Sequence, residues 1–72
     1  GQIYQLIIPH DSPSIGKKIQ DVALPKGTLV VALLHKFKAK VPSADDTILT
    51  DDRLIVISGI EEKKLVLKKL LG

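Results

Sequence analysis

Two short apolar runs constrain this chain most. Residues 28–34 read Thr-Leu-Val-Val-Ala-Leu-Leu, and residues 51–57 read Asp-Asp-Arg-Leu-Ile-Val-Ile. Apolar runs of about four to eight residues bounded by turn formers read as strands buried on at least one face. We take these two as the central strands of one small sheet, with the rest of the chain covering, feeding or extending it. Between them, residues 35–41 alternate lysine with other residues: Lys36, Lys38 and Lys40 against His35, Phe37, Ala39 and Val41. A period of two places the three lysines on one strand face. A hairpin must turn in this stretch, yet it has no Gly or Asn to accept a positive φ, so its register stays open.

The flanks follow from the same rules. Residues 1–8 carry Ile3, Tyr4, Leu6, Ile7 and Ile8 and read as a first strand. Residues 9–14 form a loop in which Ser12 and Ser14 are candidate helix N-caps. Ile15, Ile19 and Val22 recur at i, i+4 and i+7, the spacing of one helical stripe. Gly16 lies inside that stripe, which we attribute to close approach of a short helix to a strand. The helix ends before Leu24, because Pro25 disfavours helix there. Lys26-Gly27 turns the chain into the central strand. Residues 42–52 form a loop holding a short piece of strand at Ile48-Leu49. Residues 60–71 read as a final helix. Glu61 and Glu62 sit at its positive end, Lys68 and Lys69 at its negative end, and Val66, Leu67, Leu70 and Leu71 make its apolar side. The expected fold is a small two-layer α+β domain of order β-α-β-β-β-α. Its sheet is mostly antiparallel, with two helices, and a parallel first β-α-β step would cross over right-handed.

Seventy-two residues make one domain. A chain of this size buries only about 60% of its unfolded surface, so its stability alone is marginal. Its hydrophobic content of 44% is nearly all aliphatic, since Tyr4 and Phe37 are its only aromatic residues. Such an aliphatic supply on so small a body fits either a face shared with a partner chain or a well-filled monomeric core. Without cysteine, neither a disulfide framework nor a thiolate metal site can form. No apolar run approaches the ~18 residues of a membrane span. The net charge of +3 permits an anionic ligand without demanding nucleic acid, and the scarcity of stacking aromatics argues against single-strand binding. The chain opens into a strand with no methionine, which reads as a domain from a longer protein.

Little here suggests catalysis. His10-Asp11 and His35 have no cysteine nucleophile to serve, and the serines fall in cap or turn positions. We expect no enzyme. Asp45, Asp46, Asp51 and Asp52 cluster, but not at the spacing of a calcium loop, and aspartates before strands are mostly turn formers. We assign no metal site. The set His35, Lys36, Lys38 and Lys40 could attract a phosphate-bearing ligand by charge; equally, lysines on an edge deter edge-to-edge aggregation.

The order "strand, basic turn, Val41-Pro42-Ser43, Asp45, Leu49, then Asp52-Arg53-Leu54-Ile55-Val56" resembles the TrkA-C, or RCK-C, domain of bacterial and archaeal potassium-transport regulators. Ile8-Pro9, residues 12–17 and residues 24–27 match the family's opening strand, first helix and loop, so the likeness runs over residues 3–57. Two departures stand out. Asp51-Asp52 replaces a Gly-Asp pair common in the family, and the 35–41 turn lacks the family's usual small polar or glycine residue. The resemblance implies a single regulatory domain over residues 1–72, part of a longer chain, dimeric and cytoplasmic. It would work at the inner face of the membrane, with a cation transporter or channel as partner. It also implies a ligand site between two copies, which in some members takes cyclic di-AMP. The matching positions here are Leu34, His35, Lys40, Val41 and Pro42, with His35 where binders often carry arginine. The expected function is ligand-biased regulation of potassium or other cation transport, with no nucleic-acid partner. The alternative is a structural dimerisation module without a ligand.

Overall fold

The computed structural model describes residues 1–72. Four strands form one sheet: β1 (Gln2–Ile7), β2 (Leu29–His35), β3 (Lys38–Lys40) and β4 (Arg53–Ser58), followed by the helix α1 (Ile60–Leu71). The sheet order is β1-β4-β2-β3, and every neighbouring pair is antiparallel. The two apolar runs are therefore the central strands β2 and β4. Because β4 lies between β1 and β2, these two strands run parallel without pairing, and the first connection crosses over β4.

Strand alternation sorts the side chains into two layers. Leu6, Leu33, Leu54 and Val56 point to one face and are buried there with Val66 and Leu70 of α1. Ile8, Val22 and Ile48 complete the core from the connecting segments. A register shift between Val30 and Ala32 inserts one extra residue in β2. It keeps Val30 and Leu33 facing the core despite their odd spacing. The helix matches its expected bounds. Its buried positions are Val66 and Leu70, with Leu67 and Leu71 packed at the margin. No helix is long and apolar enough to cross a membrane.

The first expected helix is the main correction. Only a single 3-10 turn forms, at Ile19–Asp21. The preceding residues are held instead by hydrogen bonds to the 44–48 segment. The Gly16 N–H donates to the Ile48 carbonyl at 2.8 Å, and the Ile48 N–H to the Lys17 carbonyl at 2.9 Å. The Ile19 N–H reaches the Asp46 carbonyl at 2.9 Å, and Lys18 bridges Thr47 antiparallel. Ile15 and Ile19 still pack against the core, so their spacing marks burial, not a helix. Ser12 and Ser14 are caps of a different kind. Both are buried, and the Ser12 hydroxyl donates to the Leu70 carbonyl at 2.6 Å, closing the end of α1.

Gly16 has φ +83° and open space where a Cβ would stand. Its role is conformational, and no neighbouring strand approaches it. Asp51 stands at φ 69°, and aspartate is among the few residues that tolerate this left-handed region. We expect Gly16→Ala to destabilise by about 1–2 kcal/mol in urea unfolding, and Gly16→Leu by no more than that. A much larger loss for leucine would show that the site is sterically closed after all. Asp51→Gly should be neutral or mildly stabilising in the same assay.

Candidate functional site

The hairpin register is set by Leu33 opposite Lys40, Leu34 opposite Ala39 and His35 opposite Lys38. Lys36 and Phe37 are left as a two-residue turn, and Lys36 supplies the positive φ, at 56°, that a glycine would normally take. The turn removes Lys36 from the lysine row. Lys38 and Lys40 share the face of His35 and Leu33, while Leu34 and Ala39 point to the opposite face. Phe37 is wholly exposed at the hairpin tip, and Val41 is largely exposed just beyond β3.

His35 is not solvated freely. Its Nδ1 lies 2.5 Å from Oδ1 of Asp52, the residue preceding β4. Asp52 is buried to 1% exposure, whereas the imidazole keeps 45% of its surface. The second carboxyl oxygen accepts the Leu49 N–H at 2.9 Å. The Asp52 backbone is tied as well, its N–H to the Leu49 carbonyl at 3.1 Å and its carbonyl to the Ile8 N–H at 2.8 Å. A carboxylate taken out of water needs such partners. Asp52 therefore anchors the 49–52 turn, the end of β1 and the imidazole at once. Turn-forming aspartates look alike in sequence, and nothing singled out this one. Phe37 did carry a signal, an aromatic residue in a lysine-rich turn.

Lys40 is also engaged. Its ammonium donates to Oδ1 of Asp46 at 2.8 Å, and Oδ2 of Asp46 accepts the Ser43 N–H at 2.7 Å. The Lys40 hydrogen bond, followed by the Ser43 N–H, holds the Asp46 carboxyl below its ordinary value. Asp45 makes only a loose, exposed pair with Lys18 at 3.9 Å, a contact of little energetic weight. The four aspartates thus have separate environments, and no three His, Asp or Glu side chains gather in a cation-binding arrangement. His10 and Asp11 are exposed in the loop after β1. Among the expected ligand positions, the hairpin places Leu34 and His35 beside the strand carrying Lys40. Leu34 and His35 face opposite sides of the sheet, and Val41 and Pro42 continue past the edge. A cavity of about 340 Å³ lies elsewhere, between residues 13–23 and the second half of α1.

A folded-state pKa below the ordinary one means that the Lys40–Asp46 contact adds stability above the unfolded carboxyl's titration. That stability is lost as pH falls through the depressed value. Lys40→Met should raise the Asp46 carboxyl toward its ordinary value, read by carbon NMR across an acid titration. An unchanged midpoint would assign the depression to the Ser43 N–H alone.

The fold recurs in solved structures. An RCK domain solved with cda superposes at TM-score 0.82 and 17% identity, over 97% of this chain and 99% of that one. The RCK_C domain dimer of S. agalactiae BusR in complex with c-di-AMP gives 0.81 at 22% identity, over 94% and 93%. BusR in complex with its busAB promoter DNA matches equally well over 94% of this chain, but the match spans only 35% of that chain. Domains of this fold therefore also occur within DNA-bound proteins, which runs partly against the expectation of no nucleic-acid partner. The TrkA-C domain profile matches residues 3–70, and the chain belongs to the TrkA-C domain family.

Proposed function

We propose that this domain is a dimeric, ligand-responsive regulatory module of a cation-transport system, acting by binding and not by catalysis. The observation that carries the proposal is the uncovered face of the sheet. Ile3, Ile57 and Leu29 lie side by side across β1, β4 and β2 on the face away from α1, and all three are exposed. Ile7, Ile55 and Leu34 extend the same face. No segment of the chain covers it, and an apolar patch of this kind marks an interface. A second copy is its natural occupant, as dimerisation of the similar BusR domain suggests.

The ligand site belongs at the rim of the β2–β3 hairpin, where Leu34 reaches the dimer face, His35 and Lys40 border the rim from the opposite side of the sheet, and Val41 and Pro42 continue past it. Two copies would bring two such edges together around an anionic ligand. Cyclic di-AMP is the first candidate, because the similar BusR domain was solved with it. Lys38 makes no ion pair, while the Lys40 ammonium reaches a ligand only by leaving Asp46. Lys38 is thus the readier cation. Ligand binding across the interface would favour one arrangement of the parent protein over another through its differential affinity. Within the cell the domain would sit at the cytoplasmic face of the membrane, attached to or bound by the transporter. A dimerisation module with no ligand is the second reading, and the aliphatic face alone would support it.

Sedimentation equilibrium should give a dimer at micromolar concentration, and Ile57→Lys should give a monomer that remains folded. A dimeric variant would remove this face from the interface. Calorimetric titration with cyclic di-AMP should show binding that weakens with salt. Lys38→Ala should weaken it by roughly 1.5–3 kcal/mol if its ammonium meets a phosphate. Absence of heat with millimolar cyclic di-AMP, AMP and ATP would leave the dimerisation module as the function.

A further inference from the structure

We infer that Asp52 is a positioning residue that makes anion binding at His35 depend on uptake of a proton. The inference rests on the ligand site proposed above, but its core can be read without any ligand. Asp52 Oδ1 meets His35 Nδ1 at 2.5 Å, and Oδ2 already accepts the Leu49 N–H. The other Asp52 oxygen accepts a backbone N–H, as an ionised carboxyl does, so Asp52 is the acceptor and Nδ1 carries the hydrogen. The neutral ring then presents Nε2 outward as a bare lone pair.

A phosphodiester oxygen is only an acceptor, so a neutral His35 in this tautomer has nothing to give it. Protonation of Nε2 converts it into a charged donor aimed from the β2–β3 edge, and imidazole is the side chain suited to that change between about pH 5 and 8. The imidazolium remains paired on its inner side with the buried carboxylate. Charged groups on the surrounding elements bear on the same step. Lys36 in the turn and Lys38 opposite His35 on β3 add positive charge near the ring, and a bound anion offsets both. Lys40 is largely neutralised by Asp46, and Asp51 is exposed next to Asp52. Binding of a nucleotide phosphate should therefore draw one proton onto His35.

Asp52→Asn provides a sharp test. The Leu49 N–H still needs an acceptor, so the new amide turns its oxygen there and its NH₂ toward His35. Nδ1 must then accept, and the neutral ring carries its hydrogen on Nε2, ready to donate without proton uptake. Proton–nitrogen NMR of the imidazole in the ligand-free protein above neutral pH should show the Nδ1–H tautomer in the wild type and Nε2–H in Asp52→Asn. Wild-type affinity for cyclic di-AMP should fall by up to tenfold per pH unit as the solution is made alkaline, and that dependence should flatten in the variant. Calorimetry in buffers of different ionisation heat should register about one proton taken up per His35 engaged. An Nε2–H tautomer in the wild type, or wild-type binding that ignores pH, would overturn the inference. If no nucleotide binds, the proposed ligand falls, yet the wild-type tautomer still decides the role of Asp52. That measurement also serves if the variant does not fold.

Discussion

The pairing of β2 with β4 is the constraint on which the rest of the domain depends. Once Leu33 stands opposite Leu54, every other side chain of the two strands is assigned to a face. One face closes over Val66 and Leu70 of α1, and the other is left aliphatic and open. A slip of one residue would exchange the two faces. The single extra residue between Val30 and Ala32 matters for that reason, since it restores the alternation after a break. At the far end of the same ladder, the pairing brings His35 within reach of Asp52. The core, the open aliphatic face and the candidate site are thus consequences of one register.

A single sheet with one helix gives only one buried layer. That is a poor arrangement for so small a chain, because each fully buried aliphatic side chain contributes roughly 1.5–3 kcal/mol while every ordered residue opposes folding through lost conformational entropy. Nine residues make up the hydrophobic core. The aliphatic residues on the outer face add nothing until something covers them. Dimerisation through that face would supply a second buried layer, and stability and assembly would then be linked, as in dimers whose protomers are weak alone.

The sheet and α1 were legible because their signals are redundant. Each central strand combines β-branched residues, a short length and turn formers on both sides, and α1 combines an apolar stripe with charges that match its dipole. The first helix had one signal only, the spacing of Ile15, Ile19 and Val22. An irregular segment that buries the same residues satisfies that spacing equally well. Gly16 was the contrary signal, since a glycine at φ +83° ends regular helix. The site was half legible. The family likeness pointed to Leu34, His35 and the 40–42 segment, but the partner that holds His35 lies 17 positions away. Only the β2–β4 register brings it close. Lys40–Asp46 was hidden similarly, by a loop whose path no periodicity reports.

The division of labour among the charged groups then follows from burial. Lys38 lies on an exposed edge without a carboxylate partner, so it can contribute long-range attraction at little desolvation penalty, with an effect that salt screens. Lys40 is already hydrogen-bonded to Asp46, so a ligand gains from it only the difference between two similar contacts. His35 differs from both, because its inner nitrogen is fixed by a buried carboxylate and its outer one is free. An arginine there would offer phosphate a permanent bidentate donor. Histidine gives up that strength, and the attraction it offers depends on protonation. The His35–Asp52 pair makes this edge conditional.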